Sequence, residues 1–228
     1  MQWKVFVRLL LEMADVNYAK SWRIVVDSKE ASRILAELST MTNFEPSVKD
    51  IFNAFKLCDY NNLKCIILGM DPYPQKGIAT GLAFANRDDL VSPSLEIIRN
   101  SFYLDPVENA LFDPTLNHWA QQGVLLLNSA LTVEIGKPGS HSMLWRNFTI
   151  NLLKKLSEYN PGLVYIILGK QAETFLPYIN KNVNHILIDK HPSYYVRVKE
   201  QMSNRVFKEA NRILKANTGE TIEWLKHI

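Results

Sequence analysis

Four short apolar runs constrain this chain most, because each of them leads into residues suited to chemistry. The runs are rich in Val, Ile and Leu, show no polar alternation and are separated by helix-like segments, as is typical of parallel strands buried on both faces. We therefore predict an α/β fold with a central, twisted, four-stranded parallel sheet flanked by helices, forming a single domain over residues 1–228. The runs occupy residues 64–68, 124–127, 164–168 and 186–188, and they lead into Gly69-Met70-Asp71, Asn128, Gly169-Lys170 and Asp189-Lys190-His191.

The polar residues that follow these strands are expected to share one site. Parallel strands present their carboxyl ends at one edge of an open sheet, where ligands bind. Taken singly, an Asp before a proline or an Asn after a strand more often belongs to a turn, and a lone His is more often structural. The combination is informative because the fold would bring Asp71, Asn128, Lys170 and His191 to the same edge.

Composition and charge bound the class of protein. The 228 residues are 47% apolar and 11% aromatic, as in a globular protein, and the net charge of +3 is too small to indicate a polyanionic partner by itself. The charge is uneven, because residues 190–228 hold eight Lys or Arg against four Glu. On charge alone this basic tail is a solvated helix face, and it gains functional weight only because it follows His191.

The N-terminal stretch and the cysteines indicate the compartment. Residues 3–13 are apolar, but Lys4, Arg8 and Glu12 interrupt them at helical spacing and no small-residue cleavage site follows. This pattern argues against a signal peptide or a membrane span. Cys65 lies inside the first predicted strand, where a thiol acts as a small buried hydrophobe. We expect an intracellular protein, cytoplasmic in a prokaryote or nuclear in a eukaryote or a virus, with no disulfide, metal, cofactor or membrane partner.

Four helices are predicted between and after the strands. Apolar residues recur near a 3.6-residue period over residues 145–159, so this helix should cover one face of the sheet. A shorter helix is expected over residues 95–102, with Ser94 as its N-cap after Pro93. Further covering helices are expected over residues 172–179 and 204–214.

Seven sequence strings carry a resemblance to a known family. They are GMDPYP, GLAF, SPSLE, GVLLLNSALTV, SHSMLW, LVYIILGKQA and HPS, in this order. In these strings and their spacing, the chain resembles the uracil-DNA glycosylase family of bacteria, animal cells and large DNA viruses, over about residues 44–224. The resemblance implies a monomeric, metal-free enzyme that flips deoxyuridine out of single- or double-stranded DNA and hydrolyses its N-glycosidic bond, which releases uracil and leaves an abasic site. It also suggests inhibitor proteins that mimic DNA as a second class of partner.

The resemblance assigns four residues to the uracil base. Phe84 would stack on the ring, and Asn128 would accept from N3–H and donate to O4, a pattern that cytosine reverses. Tyr73 would stand against C5, where thymine carries a methyl group. Met70 stands where the family commonly has glutamine, and it keeps a backbone N–H that can face uracil. Pro74 replaces a family histidine, so that a phosphate contact is lost.

Two residues are implied to be catalytic. Asp71 would stay ionised, stabilise the oxocarbenium-like sugar that forms as the bond breaks, and orient the attacking water. Neutral His191 would donate to O2 of the departing uracil anion. Both roles are electrostatic, so the side chains must be held in place before the reaction.

Three short turns are expected to clamp the DNA strand through hydroxyls and backbone N–H groups. Lys170, where many relatives carry serine, would add a charged contact. Tyr194 and Tyr195 stand where the family commonly has Pro-Leu, and we expect Tyr195, or Tyr194 if the loop shifts, to stack on the DNA. The turns are Ser92-Pro93-Ser94, Gly169-Lys170 and His191-Pro192-Ser193.

Three other functions fit less well. A DNA clamp built on a glycosylase fold would not require the intact pair Asp71 and His191. A small-nucleotide enzyme would show a Gly-rich phosphate motif or a Walker lysine, and a serine hydrolase would show a Gly-x-Ser-x-Gly elbow. The sequence contains none of these motifs at the predicted strand ends.

Overall fold

The computed structural model describes residues 20–87, 91–104 and 110–227. The apolar stretch over residues 3–13 lies outside this part of the chain. Among the described residues, no helix combines the length and the apolar character that a membrane crossing requires.

Four parallel strands form the central sheet, and each coincides with one of the apolar runs. They are β1 (Cys65–Gly69), β2 (Val124–Asn128), β3 (Val164–Leu168) and β4 (His185–Asp189). The order across the sheet is β2-β1-β3-β4. Gly69 pairs with Asn128, and Leu168 pairs with Asp189, so the carboxyl ends of the strands lie side by side. The predicted α/β class with a four-stranded parallel sheet is confirmed.

Successive side chains of each strand enter two apolar cores on opposite faces of the sheet. Ile66 and Leu68 belong to one core, whereas Cys65 and Ile67 belong to the other. All four are fully buried. Because helices cover both faces, the interiors of the strands carry apolar residues on both faces and show no polar alternation. The edge strand β4 is only partly buried.

Helices cover both cores. Ile34 and Leu152 pack into the first core, and Ile98 and Phe207 pack into the second. The helices within the described ranges are α1 (Ser28–Leu38), α2 (Asn53–Leu57), α3 (Pro93–Phe102), α4 (Asn117–Gln121), α5 (Ser142–Tyr159), α6 (Lys170–Glu173), α7 (Pro192–Val198) and α8 (Arg205–Thr218).

Two of the helix predictions are wrong in detail. Helix α3 begins at Pro93, and its N-cap is Ser92 rather than Ser94, because the Ser92 hydroxyl accepts a hydrogen bond from the Leu95 N–H. The helix expected over residues 172–179 is instead the single turn α6 followed by a 3₁₀ turn, Leu176–Tyr178. Pro177 has no N–H to continue an α-helix, which explains the interruption.

Short elements complete the described structure. Two antiparallel pairs of two-residue strands join Phe44–Glu45 to Val133–Glu134 and Ala110–Leu111 to Lys226–His227. Three further 3₁₀ turns span Lys20–Ile24, Val48–Asp50 and Tyr60–Asn62.

Candidate active site

A cavity of about 830 Å³ opens at the carboxyl edge of the sheet. Four of the residues expected at the site lie outside its lining: Ser92, Pro93, Pro192 and Tyr195. The others line it together: Met70, Asp71, Tyr73, Phe84, Ser94, Asn128, Gly169, Lys170, His191, Ser193 and Tyr194.

The three segments expected as turns each begin a helix. Pro93 is the first residue of α3 and Pro192 the first of α7, a position that suits proline because its missing N–H would have no partner there. Gly169 immediately precedes α6. The first turn of a helix leaves backbone N–H groups without intrahelical partners, so the start of α3 is suited to bind anionic oxygens. At the start of α7, the Ser193 and Tyr194 N–H groups donate to His191 instead.

Asp71 lies just past β1 and accepts a hydrogen bond from the backbone N–H of Gly139. Burial raises the pKa of the Asp71 carboxyl above its ordinary value, although the Gly139 N–H opposes that shift by stabilising the ionised form. Gly139, which lies in the loop before α5, was not predicted from the sequence. A backbone donor carries no residue-type signal, so only the fold reveals it.

Asn128 and Phe84 form the back of the cavity. A Cβ atom on Gly69 would stand 2.8 Å from Asn128 Oδ1 and 3.2 Å from the Phe84 ring, so this glycine allows both side chains to approach. Phe84 has a φ of +66°, a conformation that is unusual for a bulky residue and typical of functional sites. Asn128 is buried, and its side-chain amide makes no hydrogen bond to any residue in the described structure. Its donors and acceptor therefore remain for a ligand.

Tyr73 is hydrogen-bonded to the backbone of Phe84. Its hydroxyl donates to the Phe84 carbonyl oxygen at 2.9 Å, and it also lies 2.6 Å from the Ser92 hydroxyl. Burial raises the pKa of Tyr73 to about 12, so the phenol keeps its proton at neutral pH.

His191 precedes α7 and acts as its N-cap. The ring Nδ1 accepts a hydrogen bond from the Ser193 N–H at 3.1 Å. A backbone N–H can only donate, so Nδ1 carries no proton in the neutral ring and the proton resides on Nε2. Burial, assisted by the positive charge of Arg197, lowers the pKa of His191. The neutral form with an Nε2–H donor is therefore the stable one.

Gly169 packs closely against His191. Its φ is +96°, and a Cβ atom here would stand 2.6 Å from the His191 Cβ. The His191 ring centroid lies 5.5 Å from that of Phe84. The glycine thus permits the close approach that brings His191 to the stacking face of the cavity.

Charged and aromatic residues form the rim. Lys170 is exposed and pairs with Glu173 at 2.9 Å. The Lys190 Nζ lies 3.9 Å from the centroid of the Tyr194 ring, within range of a cation–π contact. Two residues of the basic tail, Lys190 and Arg197, also line the cavity. Neither was predicted from the sequence as a site residue.

The two adjacent tyrosines of α7 have different surroundings. Tyr194 lines the cavity, whereas Tyr195 packs against the second core. The Tyr195 hydroxyl donates to Asp189 Oδ1 at 2.6 Å, which fixes the ring in place.

Comparisons with known proteins agree on one family. The model of the uracil DNA glycosylase superfamily matches residues 55–215. Uracil-DNA glycosylase 1 of Listeria innocua is 36% identical, over 86% of this chain and 89% of that protein. Uracil-DNA glycosylase of Coxiella burnetii is 33% identical, over 93% of this chain and 97% of that protein.

Solved structures agree on the fold. The crystal structure of mimivirus uracil-DNA glycosylase superposes with a TM-score of 0.74 at 22% identity, over 96% of this chain and 88% of that chain. UNG from Nitratifractor salsuginis gives a TM-score of 0.62 at 20% identity, over 89% of this chain and 91% of that chain. With the family model and the bacterial relatives, the chain belongs to the uracil-DNA glycosylase superfamily.

Proposed function

We propose that this DNA repair glycosylase removes uracil from DNA with Asp71 and His191 as its catalytic residues. One observation carries the assignment of roles. The cavity at the carboxyl edge of the sheet is lined by a carboxylate, an aromatic ring, a neutral imidazole and an amide without a hydrogen-bond partner among the described residues. A base inside a duplex cannot reach such a cavity, so the deoxyuridine must be flipped out of the stack.

Recognition of the base rests on Asn128, Phe84 and Tyr73. The Asn128 amide offers one acceptor for N3–H and a donor for O4, and cytosine presents the opposite pattern. A wrong base would leave buried polar groups unpaired, which can discriminate by a factor of about 10⁴ or more. Phe84 supplies a flat face for the ring, and Tyr73 blocks the space that a thymine methyl group would need.

Asp71 stabilises the positive charge that develops on the sugar. The Gly139 N–H helps to fix the carboxylate, which faces the sugar and orients the attacking water. Because burial disfavours the ionised form, the carboxylate gains stability when the oxocarbenium-like sugar forms beside it.

His191 stabilises the leaving group. Its Nε2–H donates to O2 of the uracil anion as the glycosidic bond breaks. The lowered pKa keeps the ring neutral, and the Ser193 N–H keeps the required tautomer. The interaction strengthens as negative charge accumulates on O2, so it lowers the barrier rather than only aiding binding.

The DNA strand is held at the rim. Ser94 offers a hydroxyl at the start of α3, and Lys170 adds a positive charge. The Ser193 hydroxyl lies 2.8 Å from His191 Nδ1 and donates to it, so it supports the imidazole rather than the DNA. We assign the stacking role to Tyr194, because its ring lines the cavity while the Tyr195 ring is tied to Asp189. This choice differs from the first expectation, which favoured Tyr195.

Two classes of partner follow from this proposal. One is DNA that contains uracil. The other is a protein that mimics DNA and covers the same rim, and it draws support from a mimivirus UNG variant that was solved in complex with UGI. We propose that the enzyme binds either partner as a monomer.

The proposal is tested by product analysis on three single-stranded oligonucleotides that differ only in one central base, namely uracil, thymine or cytosine. In EDTA, we expect free uracil and an alkali-labile abasic site from the first oligonucleotide and no base release from the others. Tight binding without base release would instead support a DNA-binding protein. Equal release of thymine or cytosine would contradict the assigned roles of Tyr73 and Asn128.

A further inference from the structure

A chain of hydrogen bonds runs from the start of α3 to the backbone of Phe84. The Ser92 hydroxyl lies 2.6 Å from the Tyr73 hydroxyl, which in turn lies 2.9 Å from the Phe84 carbonyl oxygen. The direction of this chain is fixed because a carbonyl oxygen can only accept. Tyr73 gives its single proton to Phe84, and Ser92 must therefore donate to Tyr73.

The second hydrogen bond of Ser92 also lies within the protein. Its Oγ accepts from the Leu95 N–H at 3.3 Å as the N-cap of α3. With its donor and one acceptor position in use, and with no place in the cavity lining, Ser92 is poorly suited to the phosphate contact that the sequence predicted. Ser94, which lines the cavity, remains available for that contact.

This series of hydrogen bonds ends at Phe84, a residue whose backbone is strained. Phe84 has a φ of +66°, a conformation that persists in a bulky residue only when its surroundings hold it. The Tyr73 hydroxyl bonds the carbonyl of this same residue. The hydrogen bonds therefore fix the Tyr73 ring relative to the Phe84 ring, and these two rings define the slot for the base.

We propose that Ser92 is a positioning residue for substrate choice, which holds the Tyr73 ring so that the cavity excludes the C5 methyl group of thymine. The inference rests on the proposed role of Tyr73 as the steric gate. Ser92 does not touch the base, and it acts only through the Tyr73 hydroxyl. Loss of one neutral hydrogen bond corresponds to about a fivefold to tenfold change in an equilibrium, and we expect a change of that size in discrimination.

The test compares uracil and thymine release from otherwise identical single-stranded oligonucleotides, with the protein in large excess so that slow thymine release is quantified. Ser92→Ala and Ser92→Gly should each lower the uracil-to-thymine ratio of rates by about fivefold to tenfold. Glycine is tolerated at an N-cap, so agreement between the two variants separates the lost donor from the lost cap. Ser92→Thr, which keeps the hydroxyl, should restore the ratio.

Ser94→Ala is the matched control. Ser94 lies on the same helix and lines the cavity, but it makes no hydrogen bond to Tyr73. Its loss should weaken the binding of both oligonucleotides alike and leave the ratio unchanged. A Ser94→Ala ratio that falls as far as that of Ser92→Ala would overturn the proposal.

A second background tests whether Ser92 acts through the Tyr73 hydroxyl. Tyr73→Phe keeps the ring and removes the hydroxyl, so adding Ser92→Ala to it should change the ratio no further. An additional drop equal to that in the wild-type background would overturn the proposal. Tyr73→Ala tests the gate role of Tyr73 separately from the positioning role of Ser92. If Tyr73→Ala releases thymine while Ser92→Ala keeps the full wild-type ratio, Tyr73 is the gate and the role of Ser92 is refuted. If Tyr73→Ala releases no thymine, the gate role of Tyr73 is itself refuted.

Discussion

The contact between Gly169 and His191 yields a quantitative prediction for Gly169→Ala. The new Cβ atom would stand 2.6 Å from the His191 Cβ. Carbon atoms in comfortable contact are about 3.5–4.0 Å apart, so His191 must retreat by about 1 Å. A misplacement of that size at a reacting centre can cost about 100-fold in rate. The variant should therefore lose about 2.7 kcal/mol of transition-state stabilisation.

The assay must separate this displacement from backbone strain. Gly169 has a φ of +96° and a ψ of 164°, a region that is essentially confined to glycine, so an alanine there costs on the order of 1–3 kcal/mol in stability. Gly162→Ala is the matched control, because Gly162 has a φ of +90° and its Cβ would meet no atom within 4 Å. Both variants should unfold at lower temperature, while only Gly169→Ala should release uracil about 100-fold more slowly in single turnover. A rate for Gly169→Ala within threefold of that for Gly162→Ala would refute the reasoning.

Three further predictions follow from the same geometry. Because burial raises the folded-state pKa of Asp71, its ionised form destabilises the fold at neutral pH, and this penalty disappears as pH falls below about 4. Asp71→Asn should therefore raise the midpoint of thermal unfolding at pH 7 and lose that gain at pH 4. An equal gain at both pH values would contradict this prediction. Tyr194→Ala should slow release from duplex DNA about tenfold more than release from single strands, because it removes a stacking ring. Tyr195→Ala should leave this ratio unchanged, and the opposite ranking would return the role to Tyr195. Lys170→Ala should reduce the slope of log affinity against log salt by about one, measured by titration at several salt concentrations, and an unchanged slope would exclude a phosphate contact.

The position of the site was predictable from the sequence because strand ends in a parallel sheet share one edge. The apolar runs located β1 to β4 to within one residue at each end. The register then brings Asp71, Asn128, Lys170 and His191 to one cavity. That step requires only the period of the apolar pattern and the rule for parallel sheets.

The finer assignments depended on tertiary contacts that no local pattern encodes. Neighbouring residues on a helix point about 100° apart, so which of Tyr194 and Tyr195 faced the cavity depended on the rotation of α7. Ser92 and Ser94 carry the same hydroxyl two residues apart, and only the position of Tyr73 distinguishes their environments. Gly139 contributes through its backbone N–H, which any residue but proline possesses.

We propose that Asp71 acts in the chemical step and not in binding. The most direct measurement compares the wild-type protein with Asp71→Asn on a single-stranded oligonucleotide that contains one deoxyuridine, in EDTA, with affinity and single-turnover release recorded on the same samples. We expect the variant to bind at least as tightly as the wild type, because a negative charge near the phosphates is lost, and to release uracil about 10²–10³-fold more slowly. Release by Asp71→Asn at the wild-type rate, or a loss of release fully explained by lost binding, would contradict the account.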